Sequence, residues 1–440
     1  MTKQVTEKGH IKLKSAIFGF VFLFFGKIGN SLIGMLNVML LARCLGRSGF
    51  GMFSYANTFA SYFGALTSLG TREIAIREGA CDHQAIPVIS GNILIINIVL
   101  GLATFLTTCI AIRSYSDNDL LIYLVTILAL GHIVRAVRNL DFVFFSLSRF
   151  SLFFFVQLST ALISLVLVAL GAYWEMNVTY FIYITVVTTA ISSLICLFIY
   201  RTVTHLVFKI DIPLIKKLFC QGIPLGMAQF LISTHTKVDI FFIERFLDLE
   251  SVGLYTAAVM IMEKTCLIFI VFHSSFFPKL SQTYEQDKDR FVCYISGGLL
   301  FLILFALCVI LVILLVPELF VYTIFGQDFL PSIPVLTILI FALIPRAISS
   351  LMHQVHVITG LTRSMLPFEG LALLLNVILN YYMIPEMGMR GAALSTIIAS
   401  ITLVTLRQIY FYHKLRLLFF SPKIFSPNNI QLFISAMKRK

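Results

Sequence analysis

The chain has 440 residues, of which 59% are hydrophobic and 12% charged, and its formal net charge is +12. Because soluble domains carry about twice that charged fraction, the composition excludes an ordinary soluble protein and predicts a polytopic membrane protein. The basic residues are spread over many short segments between apolar runs, which is typical of cytoplasmic loops and argues against a nucleic-acid interface.

The apolar runs are mostly about 20 residues long, which is the length of a transmembrane helix and about twice that of a barrel strand. We therefore predict an all-α membrane protein of two pseudo-symmetric six-helix bundles. The twelve predicted spans are 16–41, 50–70, 86–111, 119–146, 151–172, 178–200, 219–243, 252–276, 291–316, 332–358, 365–384 and 391–413. The predicted domains are an N-terminal bundle at 1–200, a basic cytoplasmic linker at 201–218, a C-terminal bundle at 219–413 and a basic cytoplasmic tail at 414–440.

Lys and Arg residues in the loops predict the orientation. With the N-terminus inside, the cytoplasmic segments hold twenty-one of them and the outer loops hold five. By the positive-inside rule, both termini are expected in the cytoplasm.

Two stretches of the chain look like copies of each other. Four residues of the first loop recur at one constant offset without a gap: Arg43, Leu45, Gly51 and Ala56 match Arg245, Leu247, Gly253 and Ala258. Each copy follows an apolar run, and each half has room for six spans, which is the arrangement of a duplicated transporter. Chance similarity of two apolar hairpins is the alternative.

The motifs around these loops also resemble a known family. The runs LARCLGRSGFGMFSYANTF (41–59) and LGTREIAIRE (69–78), with Asn376, Asn380, Pro385, Gly388 and 391–393 near the C-terminus, resemble the Wzx-type (O-antigen) flippases of polysaccharide repeat units. That group lies in the polysaccharide biosynthesis and transport family of the MATE-like MOP superfamily. The resemblance implies a twelve-helix MATE-like fold that carries a lipid-linked oligosaccharide.

No motif predicts a cofactor, a metal site or catalysis. The eight cysteines are scattered without a CxxC pair, so disulfides and a zinc site are not expected. His353 and His356 could bind a metal at their i, i+3 spacing, but no Cys or carboxylate lies near them in sequence. A Gly-rich phosphate loop ending in GK[ST] is also missing from the sequence.

Charged residues inside the predicted spans are the candidate functional residues, because a charge at mid-bilayer needs a partner or a wet cavity. The seven basic ones are Lys27, Arg135, Arg138, Lys237, Lys264, Arg346 and Arg407. The four acidic ones, which are candidates for ion coupling, are Asp141, Asp239, Glu263 and Glu369.

Helical spacing places several of these on polar stripes. One stripe holds Lys27, Asn30, Ser31, Gly34 and Asn37, a second holds Arg346, Ser349, Ser350, His353 and His356, and a third holds Gln229, Ser233 and Lys237. Lipid would reject such faces, so we predict a hydrated cationic cavity that binds substrate.

Other interpretations stay open for individual residues. Arg407 lies near the inner end of its span and is expected to snorkel to the interface. Lys264 and Glu263 either pair with other helices or face the cavity. Arg135, Arg138 and Asp141 form either an internal ion pair or a headgroup contact, and Asp239 is expected to pair with His235.

The cationic cavity suits an anion such as the pyrophosphate of a lipid-linked sugar. With the family resemblance, this implies a non-enzymatic flippase for an undecaprenyl-pyrophosphate-linked oligosaccharide. The resemblance adds a polysaccharide polymerase and chain-length machinery as expected partners. The alternatives are an ion-coupled multidrug or small-molecule antiporter of the same fold and a non-transporting scaffold of a polysaccharide assembly complex. The coupling ion is left open between a proton, sodium and none.

Overall fold

A computed structural model describes residues 2–361 and 364–415 of the chain. Within these residues all regular structure is helical. The α-helices are α1 (Thr2–Gly64), α2 (Thr71–Cys81), α3 (Ile86–Tyr115), α4 (Asp119–Arg138), α5 (Phe142–Ser146), α6 (Phe150–Tyr173), α7 (Val178–Val203), α8 (Ile212–His235), α9 (Val238–Phe246), α10 (Leu249–Thr265), α11 (Leu267–Gln286), α12 (Lys288–Leu315), α13 (Pro317–Phe325), α14 (Ile333–Leu339), α15 (Leu343–Ile358), α16 (Met365–Met387) and α17 (Met389–Leu415).

Polar side chains define where several of these helices begin. Asn118, Asn177 and Asp248 each accept a hydrogen bond from a backbone N–H in the first turn of α4, α7 and α10. Such caps satisfy donors that no helical carbonyl can reach. The apolar segments that follow are long enough for a helix to span a bilayer.

Ten candidate membrane spans lie in the described residues, by length and composition. The first predicted span and most of the second fall in α1, which is broken at Gly46 (φ 63°), so the loop predicted between these spans is one glycine kink. The seventh predicted span is divided between α8 and α9 and is not among the ten candidates. The count of twelve therefore stays a prediction.

Two segments that were expected to be loops are helical. The loop predicted between 70 and 86 contains α2, and the turn at 317–331 contains α13 followed by a 3₁₀ helix. In α2 a buried apolar face with Ile74 and Ala75 packs on the core of the first half, which stabilises a short helix that composition alone does not predict.

Contacts divide the chain into two compact units with a boundary between Ser233 and Thr234. The first unit is built from α1 to α7 and most of α8. Its core joins α2, α3, α5 and α7, with Ile93, Phe142, Phe144 and Tyr200 fully buried. The predicted linker at 201–218 separates the two halves that the sequence duplication suggests, and it stays a prediction.

The second unit packs α9 to α17 together, with α16 and α17 forming its last hairpin. Gly391 allows the close approach of this hairpin, since a Cβ there would lie 2.3 Å from the Met383 carbonyl oxygen. Ser395 and Ala399 follow on the same face and are fully buried. Gly391, Ser395 and Ala399 recur every four residues, and this stripe of small residues allows close helix packing.

Candidate functional site

The first polar stripe is only partly described. The side chain of Lys27 lies outside the described residues, while Asn30 and Asn37 are half-buried on α1. The Asn37 Nδ2 donates to Ser164 Oγ of α6 at 3.4 Å. Asn37 therefore joins two helices of the first unit, and any contact of Lys27 or Asn30 with a substrate stays a prediction.

A cluster of arginines surrounds one carboxylate at the end of α4. Arg72 of α2 donates through Nε to Asp141 Oδ1 at 2.7 Å, and the Arg138 Nε lies 4.0 Å from Asp141 Oδ2. Arg138 also donates to Ser192 Oγ on α7. Asp141 thus serves as an internal counter-ion for two guanidinium groups, which is the ion-pair alternative that the sequence left open.

Arg135 lies one turn earlier on α4 and stands apart from this network. No carboxylate within 4.0 Å of its guanidinium is found among the described residues. It lines a cavity in the first unit together with His132. Asp141 is shared by two arginines, and the exposed Glu73 lies 3.8 Å from Arg72. Three guanidinium groups therefore meet two carboxylates, and the cluster keeps an excess of positive charge inside a membrane protein, where such a charge is costly unless it meets water or an anion.

The polar stripe on α15 does not keep all its members accessible. Arg346 is half-buried and His353 is exposed, but His356 is fully buried. The His356 ring packs 4.3 Å from the Phe411 ring, centroid to centroid, and its Nδ1 lies 2.9 Å from the Met352 carbonyl oxygen. His356 therefore faces the interior of the second unit, whereas Arg346 and His353 remain candidates for substrate contact.

Arg407 does not snorkel, and that prediction is wrong. Its side chain is 2% exposed, and its Nη2 donates to Glu369 Oε1 at 2.5 Å. The Nη1 also donates to Ser349 Oγ at 2.7 Å. Together with Ser349, the pair joins α15, α16 and α17. The Glu369 carboxylate on the neighbouring helix offsets the cost of burying the Arg407 guanidinium.

Asp239 lies at the centre of a buried hydrogen-bond network in the second unit. Its carboxylate accepts from Tyr255 OH and Asn380 Nδ2, both at 2.6 Å, and from Thr396 Oγ1 at 2.5 Å. Asn380 also donates to Asn376 Oδ1 at 2.6 Å. No basic side chain pairs with Asp239 among the described residues, so three neutral donors hold this carboxylate.

The expected pairing of Asp239 with His235 is wrong. His235 precedes the break between α8 and α9, and its buried Nδ1 has no hydrogen-bond partner in the described residues. The break turns Asp239 away from His235 and towards α16 and α17. In the sequence, Asn376 and Asn380 belong to the motif that resembles the family. Their i, i+4 spacing on an otherwise apolar helix is the feature from which this hydrogen-bond network could have been predicted.

The remaining candidates lie around the breaks between α8 and α11. Lys237 directly precedes α9 and is half-buried, as is Lys264 near the end of α10, while Glu263 is exposed. Arg346 lies near the Cys266 thiol. No group of three metal-ligating side chains occurs in the described part of the chain.

Comparison with known proteins places this geometry in a family. The sequence profile of a family described as polysaccharide biosynthesis protein matches residues 17–284. The capsular polysaccharide biosynthesis protein CapF of Staphylococcus aureus is 22% identical over 205 residues, which is 46% of this chain and 51% of CapF. The probable low-salt glycan biosynthesis flippase Agl15 of Haloferax volcanii is 28% identical over 170 residues, 37% of this chain and 34% of Agl15. The chain spans about half or less of the length of these relatives.

Solved structures with the same fold cover nearly the whole chain. The lipid II flippase MurJ in its inward closed conformation has a TM-score of 0.71 at 16% identity, covering 96% of this chain and 93% of MurJ. An inward-facing multidrug resistance MATE family transporter of the MOP superfamily has a TM-score of 0.69 at 16% identity, covering 88% of this chain and 94% of its own. The predicted all-α, MATE-like membrane fold is confirmed. Since the profile match extends over more than half of the chain, the protein belongs to the family of polysaccharide biosynthesis proteins, and it is a multi-pass membrane protein with the fold of these MATE and MurJ structures.

Proposed function

We propose that the protein is a flippase that translocates a lipid-linked oligosaccharide, with undecaprenyl pyrophosphate as the lipid carrier, from the cytoplasmic to the outer leaflet of a bacterial plasma membrane. The observation that carries this proposal is the excess of arginine over carboxylate around α4, where Asp141 is shared by Arg72 and Arg138 while Arg135 has no acidic partner among the described residues. A water-poor cationic site attracts a pyrophosphate strongly.

The relatives support the same class of substrate. Agl15 is described as a glycan biosynthesis flippase, and MurJ as a flippase of lipid II. In this proposal the basic side chains, including Lys27 and Arg346, bind the pyrophosphate, and Asn and Ser side chains meet sugar hydroxyls. The O-antigen or related surface polysaccharide unit, the polymerase and the chain-length machinery belong to the same proposal.

We propose Asp239 as the residue that couples transport to an ion. The carboxylate is 4% exposed, and within the described residues its side-chain donors are all neutral, so its negative charge can be balanced by a proton or by a monovalent cation. Binding of either would change the hydrogen bonds to α16 and α17 and thereby favour one conformation of the second unit.

The flippase proposal is tested in the host. Deletion of the gene is expected to remove surface polysaccharide and to leave lipid-linked units on the cytoplasmic side, and the intact gene should restore export. Lys27→Ala and Arg346→Ala are expected to insert in the membrane without restoring export. Unchanged polysaccharide after deletion, with altered tolerance to cationic compounds, would instead favour the antiporter, which the MATE-like fold also accommodates.

Ion coupling is tested separately in proteoliposomes. Asp239→Asn keeps the shape of the side chain but removes its titratable charge, so transport should lose its dependence on a pH or sodium gradient. Glu263→Gln, an exposed carboxylate of the same unit, is the matched control and should keep that dependence. Equal gradient dependence in wild type and Asp239→Asn would refute the assignment.

A further inference from the structure

The connection between α7 and α8 presents large apolar side chains on the surface of the first unit. It runs through residues 204–211 and continues into Ile212, the first residue of α8; we call residues 204–212 the α7–α8 segment. Phe208, Ile210 and Ile212 are 70%, 67% and 71% exposed. Apolar surface of this size is unfavourable in water, so a cover from outside the described residues is expected.

The backbone of this segment is bound to the start of α3. The Val207 N–H donates to the Pro87 carbonyl oxygen at 3.3 Å, and Asn92 Nδ2 donates to the Lys209 carbonyl oxygen at 2.8 Å. The Asp211 N–H donates to Asn92 Oδ1 at 3.0 Å. Residues with bonded backbone groups thus alternate with residues whose apolar side chains are exposed, and a fixed backbone presents those side chains.

Two consecutive residues of α3 make this attachment possible. A Cβ at Gly91 would lie 2.2 Å from the Val207 carbonyl oxygen, so only glycine lets the segment approach this closely. Asn92 is fully buried, and its amide bonds the segment through both its oxygen and its nitrogen. The start of α3 therefore holds the segment in one place.

The attachment also gives the depth of the segment in the membrane. The helices α3 and α7 are both candidate membrane spans. The 30 residues of α3 make a helix of about 45 Å, the thickness of a bilayer with its headgroups. Asn92 lies only about 9 Å along α3 from Ile86, so the segment lies at the boundary between headgroups and acyl chains. Irregular backbone tolerates that position because its polar groups are bonded to the protein.

The charge around the exposed apolar side chains is positive. Arg201, Lys209 and Lys216 are exposed, and none of them is ion-paired within the part of the chain that the structure describes. The acidic residue of this stretch, Asp211, is half-buried, and its Oδ1 accepts from the Leu214 N–H at 3.0 Å. Apolar side chains flanked by basic ones are typical of a surface that binds anionic lipid.

We propose that the α7–α8 segment binds an anionic phospholipid surface. Phe208, Ile210 and Ile212 enter the boundary between headgroups and acyl chains, and Lys209 and Lys216 bind lipid phosphates. The occupant is a bilayer of anionic phospholipid, because the depth of the segment, its bonded backbone and its charge all suit lipid.

Lipid bound here also fixes the start of α8. Asp211 is bonded to Asn92 through its N–H and accepts from the first turn of α8 through its carboxylate, so the segment and the beginning of α8 keep the same depth in the bilayer. Lipid binding of this kind requires no transport. The proposal therefore goes beyond the proposed flippase function and does not depend on it.

The test is quenching of a tryptophan reporter by brominated phospholipids. Trp174 is the only tryptophan of the chain, so Phe208→Trp in a Trp174→Phe background gives the full-length protein one indole, at the segment. Nanodiscs contain equal amounts of phosphatidylglycerol and phosphatidylcholine, and only one of the two lipids is brominated. Brominated phosphatidylglycerol should quench the reporter more strongly than brominated phosphatidylcholine, by about a factor of two or more.

Charge variants of the reporter protein test the headgroup contact. Lys209→Gln with Lys216→Gln should abolish the preference for phosphatidylglycerol while the reporter is still quenched, because the apolar contact remains. Arg113→Gln is the matched control. It removes an exposed arginine at the other end of α3 and should keep the preference. Gel filtration verifies that each variant is folded.

Three outcomes would overturn the proposal. Equal quenching by the two brominated lipids in the reporter protein would mean that the contact does not select anionic lipid. A preference that persists in Lys209→Gln with Lys216→Gln would mean that these lysines do not bind the headgroups. A reporter that neither lipid quenches would show that the segment is away from the bilayer and is covered by another protein. Each of these outcomes leaves the flippase proposal as it stands.

Discussion

Charged side chains in the second unit are buried where another helix supplies a partner. Arg407 and Glu369 form an ion pair with 2% and 9% of their side chains exposed. Burying either group alone would leave an uncompensated charge, which costs more than the pair contributes. The two side chains therefore depend on each other, and the last three long helices are held in one arrangement.

We expect Glu369→Gln to destabilise the protein by about 3–5 kcal/mol, because the variant leaves the Arg407 guanidinium buried without its counter-ion. Heating the detergent-solubilised protein and measuring the remaining gel-filtration peak gives the shift. Glu386→Gln, on the exposed face of the same helix, should change nothing. The apolar double variant Glu369→Leu with Arg407→Met should recover most of the loss, and a double variant as unstable as Glu369→Gln would contradict the assignment.

At the scale of elements, α8 packs on the start of α2 through glycines. A Cβ at Gly226 would lie 2.5 Å from the Leu69 carbonyl carbon, and one at Gly222 would lie 2.7 Å from the Leu69 oxygen. Gly70 between them has φ +73°, which favours glycine for a backbone reason. Three glycines thus bring two backbones into contact where no side chain fits.

Gly226→Ala should therefore push α8 away from this turn and cost about 1–3 kcal/mol, the usual penalty for overpacking. The same thermal assay measures the loss. Gly370→Ala is the matched control, since a Cβ added at this helical glycine would have no neighbouring atom within 4 Å; it should be neutral or stabilise the protein by up to about 1 kcal/mol. Equal melting behaviour of the two variants would show that the contact does not constrain α8.

An ion pair between α2 and α8 is expected to depend on pH. The Glu78 carboxylate accepts from Lys217 Nζ at 2.5 Å and from Arg77 Nη2 at 2.9 Å. These hydrogen bonds, that from Lys217 first, lower the pKa of Glu78 below its usual 4.5. A lowered folded pKa means that the stabilisation is complete above the ordinary carboxyl pKa and is lost as pH falls through the lowered pKa.

We expect hydrogen exchange of the α2 amides, corrected for intrinsic rates, to accelerate on acidification below the ordinary carboxyl pKa. Lys217→Met should remove most of that acid-dependent change and cost about 0.2–1 kcal/mol at neutral pH, as for a surface pair. Lys216→Met, the neighbouring exposed lysine, is the control. An unchanged acid response in Lys217→Met would assign the titration to another group.

At the scale of the whole molecule, the distribution of Lys and Arg predicts both termini in the cytoplasm. Tags at the two ends should be cleaved by a protease in inside-out vesicles and protected in right-side-out ones. Cleavage of either tag from the outside would reverse the orientation, and the assignment of the substrate-loading side would reverse with it.

A hydrated interior is a further whole-molecule prediction. In a cysteine-free background, Asn30→Cys and Ser350→Cys should react with a water-soluble thiol reagent. Leu351→Cys, next to Ser350 but fully buried, should stay unmodified. Protection of both stripe positions under every condition tested would mean a dry interior and would remove the basis of the cationic cavity.

The sequence by itself determined the helical membrane fold, because apolar runs of bilayer length leave a chain no other way to satisfy its backbone. It also determined which residues are unusual: each basic or acidic side chain inside a span had to have a partner or water. Helical periodicity placed Ser395 and Ala399 on one face with Gly391, and that face is the packed one.

Only the tertiary structure decided which partner each charge has. Periodicity gives the face of a helix but not the neighbour that covers it, so Arg407 was expected at the interface although Glu369, on another helix, holds it inside. For the same reason Asp239 was assigned to His235 within its own segment, while its donors come from α10, α16 and α17. Arg135 and Arg138 looked alike in sequence, and only packing placed Asp141 beside Arg138 while Arg135 has no carboxylate partner among the described residues.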